Sequence, residues 1–420
     1  MTDEEKAEPN KLTTELLDSW ATDPKGPVAL HLKQRLLAVE GVDGEQQIIY
    51  PPTYADIGYN IDRLADGTRV ALIDSVGSQA NRLEPIFKSA SGFADLVPQI
   101  DIVLRKEGCG ECTECKKAKP KVDKCENPWK EKRSLFDLAH RAADAVVQSS
   151  PTLLPKMAEA FKTMRKKGDA SLLCTIAPTS LLFGCWDSRG GSGEKRPRLV
   201  RAIIRAWDVD ELHAAAQFNS IWKAFDEEQK AELTAESKKK GKAKLSDKGF
   251  NDAPAVFRKV SQRAQSSMPE FRSTGPNPDR RVLGGIVARG PIQRDVTINL
   301  VALRGLNGGA QTDALRKYLL ALSILSGTVD IELFLREGCH LRYADDADQW
   351  YAVPRRGKNA PVDLVSEDAR KTVRGYAEEH SKPFNQAWEK LKLGNEHEFD
   401  LKTAKELLGK STDEEEETGS

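Results

Sequence analysis

Four of the seven cysteines lie close together in the sequence, and their spacing is suited to holding a metal ion. Cys109, Cys112 and Cys115 form a CxxCxxC motif, and Cys125 follows after a nine-residue gap. Four thiolates at such short separation can close a tetrahedral zinc site, and glycines on both sides of Cys109 give the backbone freedom to turn around it. A zinc ion held in this way would be structural, because protein ligands would fill all four positions.

Two other interpretations of the cysteine cluster remain open. Three cysteines at two-residue gaps are similar to a ferredoxin iron–sulfur motif, but Cys125 lies far from the others and no proline follows it. The thiols can also be unliganded. The neighbouring lysines would lower the pKa values of the cysteines and can also contact nucleic acid; they are Lys116, Lys117, Lys119, Lys121 and Lys124.

The chain offers no arranged catalytic group, and we expect no catalytic residues and no enzyme activity. Its six histidines are scattered without an HExxH or similar metal spacing. Asp345, Asp346 and Asp348 form an acidic group suited to a divalent ion, but the surrounding sequence is typical of a turn between short strands. If the chain cleaves nucleic acid, Asp74 and Asp187 are better candidates.

Residues 73–84 (IDSVGSQANRLE) predict a strand end, a turn and a helix start that is suited to a phosphate. Ser78 stands where an N-cap would satisfy free amides, and a helix start offers a partial positive charge to an anion. Gln79, Asn81 and Arg82 then lie on the first turn, within reach of a phosphate or a 2′-hydroxyl. The alternative is an ordinary capped helix in which Arg82 pairs with a neighbouring acid.

A glycine-rich loop at residues 188–198 (SRGGSGEKRPR) is a second candidate for anion binding. Its glycines let backbone amides approach an anion, and four bases flank them: Arg189, Lys195, Arg196 and Arg198. The loop fails the P-loop pattern, so nucleotide hydrolysis is not expected. The alternative for the loop is a flexible connection between two elements. Trp186 lies beside the loop and can stack on a base, and the alternative for it is a position in the core.

Formal net charge is zero, but the charges are segregated along the chain. The last ten residues hold five acids and no base, so the rest of the chain carries +5. Residues 255–304 contain nine Arg or Lys against three acids, and all nine are Arg except Lys259. Arginine suits phosphate recognition, whereas Lys is the usual choice for solubility alone. Arg289 and Arg294 therefore join the predicted nucleic-acid contacts, against the alternative of a solvated face. Arg201, outside this range, is predicted as a contact as well.

The hydrophobic pattern predicts one elaborated α+β sheet domain. Strands are predicted at residues 28–42, 70–73, 97–104, 199–206, 285–302 and 331–335, and helical patterns at 83–87, 135–147, 153–164, 230–248 and 314–325. The predicted organisation is a polar N-terminal extension (1–25), the sheet domain (26–365), a helical C-terminal region (366–408) and an acidic tail (409–420). The domain includes a Cys-rich insertion (105–130) and a charged insertion (226–250).

Composition excludes several protein classes. With 39% hydrophobic and 30% charged residues, the chain is typical of soluble globular proteins. No stretch approaches the ~20 apolar residues of a membrane span. The acidic N-terminus lacks the basic start and apolar run of a secretory signal, and an odd cysteine count favours a reducing compartment. We therefore expect a cytoplasmic protein without a membrane partner.

Three of these stretches, taken in order, resemble one known family. Residues 73–84, residues 182–191 (LFGCWDSRGG) with Lys195 and Arg198, and residues 296–304 (VTINLVALR) are similar to the Csb-one subgroup of the Cas-seven family. That subgroup belongs to the RAMP superfamily of CRISPR-associated proteins and occurs in type I-G (formerly I-U) systems. Residues 315–320 (LRKYLL) and 335–339 (LREGC) also look like it, so the similarity covers roughly residues 28–353.

The resemblance implies an RRM-like, ferredoxin-like core with large insertions, whose copies polymerise along a CRISPR RNA. It also implies a target DNA strand, bound through the guide, and other Cascade effector subunits as partners. Type I backbone subunits hold the guide RNA without cutting it, and a separate helicase-nuclease degrades the target. One alternative is a metal-dependent ribonuclease on the same scaffold, since related type III subunits cut RNA with a loop aspartate. Another is a stand-alone zinc-ribbon regulator of transcription.

Overall fold

The longest strand, β1 (Ala29–Ala38), organises the main sheet. The computed structural model describes residues 9–55, 57–88, 92–117, 121–185, 198–214, 221–239, 245, 282–345 and 348–408. Leu30, Leu32 and Leu36 point into the core, while Lys33 and Arg35 are exposed on the opposite face. The alternation follows from the two-residue period of a strand and confirms the predicted strand at residues 28–42.

The order of strands around β1 is that of a ferredoxin-like core. β12 (Ile292–Asn299) pairs with one side of β1, and β9 (Val200–Trp207) pairs with β12. On the other side, β14 (Cys339–Tyr343) pairs with the end of β1 and β15 (Trp350–Val353) with its start. If β14 and β15 share the position of the fourth strand, the order is fourth, first, third, second, and all neighbours are antiparallel. The predicted α+β class is confirmed.

Shorter strands extend this sheet to nine members. β6 (Arg69–Asp74) pairs with β9, and β5 (Ile61–Arg63) pairs with β6. β13 (Phe334–Arg336) and β16 (Ala360–Val362) pair with β14 and β15. The strand predicted at residues 285–302 is instead two strands of different sheets, β11 (Val282–Ala288) and β12, joined by a turn and followed by helix α8 (Leu300–Arg304). Gly290 allows the turn, because a Cβ there would lie 2.8 Å from the carbonyl oxygen of Trp207.

Helices cover one face of the main sheet. α9 (Thr312–Gly327) packs on β9 and β12, α2 (Val76–Leu83) packs on β9, and α10 (Glu367–Leu391) packs on α9. α1 (Thr14–Thr22) also contacts α9 and buries Leu17 and Trp20. Residues 14–22 are therefore part of the core, and the expectation of a peripheral N-terminal extension is wrong for them.

The remaining helices partly agree with the sequence pattern. α4 (Leu154–Lys167) confirms the helix predicted at 153–164, and α7 (Glu227–Lys239) confirms helix within the charged insertion. The pattern at residues 135–147 instead forms two 3-10 turns and the short helix α3 (Ala145–Gln148). Arg141, with φ +52°, breaks the helical run there. Two further short helices are α5 (Ser171–Ile176) and α6 (Thr179–Leu182), and residues 401–408 are also helical.

The Cys-rich insertion projects from a separate sheet. β7 (Asp101–Glu107) and β8 (Trp129–Ser134) form an antiparallel hairpin, and β17 (Glu396–Glu398) adds to β7 in parallel. The region at 366–408 is therefore helical only in part. Two further groups are the sheet of β10 (Val209–Ala214), β11 and β2 (Gln47–Ile49), and the hairpin of β3 (Thr53–Tyr54) and β4 (Gly58–Tyr59). The acidic tail lies outside the described residues.

None of the helices that the structure describes is long and apolar enough to cross a bilayer.

Candidate metal centre and nucleic-acid interface

The loop between β7 and β8 brings the four clustered cysteines together. Sγ–Sγ distances are 3.9 Å for Cys109 and Cys115, 3.7 Å for Cys112 and Cys125, and 3.4 Å for Cys115 and Cys125. All four sulfur atoms lie within 4.8 Å of one another. A tetrahedron with zinc–sulfur bonds of about 2.3 Å has edges of about 3.8 Å. The cluster can therefore hold a metal ion with the geometry that zinc prefers.

The backbone of this loop is shaped for thiolates. The Cys112 amide donates to the Sγ of Cys109 (3.3 Å), and the Cys109 amide donates to the Sγ of Cys125 (3.4 Å). Backbone N–H groups of Cys115 and Glu126 lower the pKa of Cys112 to about 6, which favours the thiolate that a metal needs. At Cys115 the Gly110 amide also favours the thiolate, but burial and the neighbouring thiols outweigh it and raise the pKa of Cys115. A Cβ on residue 108 would lie 2.6 Å from the Sγ of Cys115, so only glycine fits beside the cluster. A bound zinc would have four protein ligands and would stabilise the loop.

The face of the main sheet opposite the helices forms a polar surface across β1, β12 and β9. In the pairing register, His31 lies beside Thr297 and Arg201, and Arg35 lies beside Gln293 and Arg205. Directly opposed residues of antiparallel strands share one face, so these two rows and the intervening Lys33 point the same way. We call this surface the open face and define it by His31, Lys33, Arg35, Arg201, Arg205, Gln293, Asp295 and Thr297.

The open face carries cations without carboxylate partners. Lys33, Arg201 and Arg205 make no ion pair within the described part of the chain. His31 is hydrogen-bonded to the Thr297 hydroxyl (3.0 Å) and lies 3.7 Å from Asp295. Unpaired arginines on a sheet surface are the groups that a phosphate backbone attracts.

Arg198 lies just before β9 and extends this positive region. Burial, followed by the nearby charges of Arg141 and Arg201, lowers the pKa of the half-buried Arg198 guanidinium. No carboxylate pairs with it among residues that the structure describes. A bound anion would relieve the repulsion between these cations, and the phosphate contact of Arg198 stays a prediction.

The helix start at residues 73–84 differs from its prediction. Ser75, and not Ser78, is the N-cap of α2, because its side chain accepts from the Ser78 amide (3.2 Å). The Ser78 hydroxyl instead donates to Asp74 Oδ1 (2.8 Å). Arg82 lies on the second turn, where its Nε donates to Asp74 Oδ2 at 3.1 Å. The alternative of a capped helix with a paired arginine describes this segment, and Asn81 remains exposed on its surface.

Asp74 is the centre of a buried network on the helix-covered side of the sheet. Only 1% of its surface is exposed, and Ser78, Gln79 (2.7 Å), Arg82 and Arg336 (3.4 Å) all reach its two oxygens. Arg336 also donates to the Ile73 carbonyl (2.8 Å). Both oxygens are already occupied, so Asp74 has a structural position and no free atom for a metal or a water.

Gln79 and Arg294 belong to the same network and not to a surface. Arg294 donates from Nε to Gln79 (2.9 Å) and from Nη1 to Gln34 (2.5 Å), and neither Gln79 nor Arg294 has exposed surface. Desolvation by burial lowers the pKa of Arg294, while nearby acids and Tyr343 oppose this effect. Because both side chains are fully buried, neither can contact a nucleic-acid strand. Instead of the predicted RNA contact, they have a role in positioning β12 and α2.

The other predicted site residues are dispersed. Arg289 is exposed on the turn between β11 and β12 and pairs with Asp210 (2.6 Å). Asp345 pairs with Arg35 (3.1 Å), while Asp348 accepts from Gln34, and both lie between β14 and β15. Five predicted or alternative residues lie outside the described part of the chain: Trp186, Asp187, Arg189, Lys195 and Arg196. Asp346 of the acidic group lies there as well.

A buried ion pair fixes one end of the glycine-rich loop. Arg141 Nε donates to Glu84 Oε2 (2.6 Å), and Arg141 Nη1 donates to the carbonyl of Gly184 (3.1 Å). Burial raises the pKa of Glu84 to about 7 against the opposing charge of Arg141. Because Arg141 also lies 5.3 Å from the Phe183 ring centroid, the pair positions the chain where the loop begins.

The sequence reasoning missed His31, Lys33 and Arg205 on the open face. The signal was present, because these residues occupy the polar positions of two strands that were predicted from their alternation. Arg336 and Gln34 were also missed, and no local pattern indicates them, since their partners are far away in the sequence.

Comparison with known proteins adds a family match to this geometry. Residues 30–211 match the family described as CRISPR-associated protein GSU0053 (Cas_GSU0053). The match supports a CRISPR-associated protein. It covers less than half of the chain and includes β1, β9, the four clustered cysteines and Arg198, Arg201 and Arg205. No curated protein matches the chain.

Proposed function

We propose that this protein is a guide-RNA-binding backbone subunit of a type I-G Cascade-like complex, whose copies polymerise along the CRISPR RNA and support target DNA recognition. The observation that carries the proposal is the match of residues 30–211 to a CRISPR-associated family. The ferredoxin-like strand order supports it, because the RRM uses this sheet architecture for single-stranded RNA. The partners are CRISPR RNA, a target DNA strand, other Cascade subunits and further copies of the chain.

The open face is the surface that best fits the guide. Arg201 and Arg205 are four residues apart on the same face of β9, about 13 Å at 3.3 Å per residue, and make no ion pair in the described structure, so they can hold two phosphates of one strand. Two half-buried aromatic residues lie near this face. Trp207 is the last residue of β9, and Tyr351 on β15 is the register partner of His31. Bases can stack on such rings while arginines hold the backbone.

The first prediction is that the protein co-purifies with a discrete small RNA from cells that carry its CRISPR array. Arg198→Ala, Arg201→Ala and Arg205→Ala should each weaken guide binding to a similar degree for every guide sequence, because phosphate contacts carry no sequence information. Each substitution should also lower the slope of log K against log salt by about 0.7, the value for one single-strand phosphate contact. Filter binding over a salt series measures both effects.

Arg370→Ala is the matched control, since Arg370 is exposed on α10 in the helical layer. It should leave both affinity and salt slope unchanged. Recovery of an RNA-free monomer from such cells would contradict the proposal, and a loss that depended on guide sequence would show that the arginines contact bases.

The second prediction is the absence of nucleic-acid cleavage. Asp74 already accepts from four side chains, and the aspartates 345 and 348 are engaged by Arg35 and Gln34, so none is arranged to activate water. We expect the assembled complex to leave matched RNA and DNA intact in magnesium or manganese without a helicase-nuclease. Specific cleavage that Asp74→Asn or Asp187→Ala abolishes would favour the metal-dependent ribonuclease instead.

A further inference from the structure

We propose that a pocket between α1 and the β15–β16 hairpin holds one nucleotide of a single strand, with the base on its apolar lining and the phosphate on its cations. This inference rests on the proposed function, because it assumes a complex that holds a guide and a target strand. The pocket has a volume of about 360 Å³, which is within the range of small-ligand sites. Trp20 and Pro27 line it on one side, and Ala352 and Val362 line it from the hairpin.

The apolar lining is fixed by the fold. Trp20 and Val362 are buried, so this part of the pocket belongs to the core. The guanidinium of Arg304 donates to the carbonyls of Trp20 (2.9 Å) and Pro27 (2.7 Å), which holds the α1 side in place. Pro27 and Pro354 add flat apolar surfaces against which a base can lie. The pocket is therefore formed before a ligand enters.

The other described lining residues include three cations and no acid. Lys25, Arg355 and Lys358 are exposed, and none of them makes an ion pair in the described ranges of the chain. Arg355 donates to the carbonyl of Pro24 (2.7 Å), so its guanidinium lies close to the Lys25 segment. Asp23 accepts from the backbone amide of Lys25 (2.8 Å) and can offset only one of the three charges. A positive excess remains at the pocket.

A fourth cation lies behind the apolar lining. Arg304 bonds to the two carbonyls named above, and no carboxylate pairs with it among the residues that the structure describes. Burial, followed by the positive charge of Arg355, lowers the pKa of the Arg304 guanidinium, and Asp23 opposes this effect. An anion bound beside Arg355 would reduce the repulsion between the two guanidinium groups.

This combination favours a nucleotide over a protein segment. The centre of a protein interface is poor in charge and rich in large apolar side chains. Three cations line this pocket instead, and none of the large hydrophobic residues exposed on the described surface lines it. A nucleotide joins a flat base to a phosphate, so it fits an apolar lining beside cations. Inorganic phosphate alone would leave the apolar lining uncovered.

The pocket lies near one end of the open face. Tyr351 is the register partner of His31, and the turn at residues 354–359 follows β15 directly. Arg355 is four residues beyond Tyr351, so the two Cα atoms are at most about 14 Å apart. Ala352 alternates with Tyr351 and lines the pocket from the opposite face of the sheet. A strand that leaves the open face beside His31 can therefore pass around the turn and enter the pocket.

The first test compares two neighbouring cations of the turn in the complex assembled on its guide. Lys358 lines the pocket, whereas Arg356 is exposed in the same turn but is not among the described lining residues. Lys358→Ala should weaken strand binding and lower the salt slope by about 0.7, the value for one phosphate contact. Arg356→Ala should leave both unchanged, and an equal effect of the two variants would overturn the inference. Filter binding over a salt series, with guide and target labelled in turn, measures both effects.

The second test fills the apolar part of the pocket without changing its charge. Ala360 lines the pocket, and Ala360→Leu places a larger side chain there. We expect roughly ten-fold weaker binding, within the range for the loss of one base contact, at an unchanged salt slope. If Ala360→Leu does not fold, Lys358→Glu decides, because Lys358 is exposed and its reversal should weaken binding more than Lys358→Ala does.

Cross-linking identifies the strand that supplies the nucleotide. Thio-substituted pyrimidines are placed in the guide in one experiment and in the target in another, and the cross-linked peptides are mapped. We expect cross-links to residues 9–28 or 350–362 from one of the two strands, and their loss in Ala360→Leu.

The outcomes separate this inference from the proposed function. A complex that holds guide RNA, gives no such cross-link and tolerates Lys358→Ala and Ala360→Leu overturns the inference alone. Cross-links that appear only in Glu4→Gln/Glu5→Gln/Glu8→Gln would assign the pocket to the acidic N-terminal residues and overturn it. Loss of a protein subunit in Ala360→Leu, with nucleic-acid affinity unchanged, would assign the pocket to a protein contact and also overturn it. Failure to recover any guide RNA would contradict the proposed function itself.

Discussion

Replacing Cys112 with serine is expected to release about one equivalent of zinc per chain and to loosen residues 108–129. The four sulfur atoms have the separations of a tetrahedral site, and removing one ligand opens it. Structural zinc contributes about 10–16 kcal/mol of binding free energy in zinc-finger peptides, so its loss should unfold the loop locally. Elemental analysis of protein purified without chelator measures the metal, and hydrogen exchange measures the loop.

Cys174→Ala is the control for this prediction, because Cys174 is a buried thiol of α5 outside the cluster. It should retain the zinc even if it lowers overall stability. A metal-free wild-type sample with a protected loop would contradict the zinc assignment, and iron with visible absorbance would replace it with an iron–sulfur cluster.

The main sheet was predictable to the extent that its strands alternate. Residues 28–42 and 199–206 have one buried and one polar face, and the structure places β1 and β9 there. The same rule identifies the side on which Arg294 lies, since it shares parity with Ile292 and Val296 of β12, which are buried. The excess of basic residues at 255–304 does not record which face of a strand each residue occupies. The prediction of an RNA contact for Arg294 rested on that excess, and it was wrong because Arg294 points into the core.

Other features depend on contacts that no local pattern records. α1 has a polar N-terminal neighbourhood, yet its apolar side is buried because α9 lies beside it. β17 is too short to show a period, and it forms because Glu396–Glu398 can pair with the free edge of β7. The cysteine cluster was predictable, because its four thiols are close in sequence and their spacing alone nearly fixes the geometry.

Asp74→Ala is expected to lower the free energy of unfolding by about 3–5 kcal/mol, the cost of removing one partner from a buried charged network. Without the carboxylate, Gln79, Arg82 and Arg336 lose an acceptor, and the Arg294 side chain loses the support of Gln79. Urea denaturation followed by circular dichroism measures the change. Asp74→Asn should be less destabilising, because it keeps one acceptor oxygen.

Asp43→Ala is the matched control, since Asp43 pairs with Arg35 at 2.6 Å but is half exposed. An exposed pair contributes about 0–1 kcal/mol, so the two alanine variants should differ several-fold in their effect on stability. If Asp74→Ala were as mild as Asp43→Ala, the network would not hold β6, α2 and β12 together, and Asp74 would return as a candidate for chemistry. A large effect on stability with nucleic acids left intact would instead assign this acid to the frame that supports the open face.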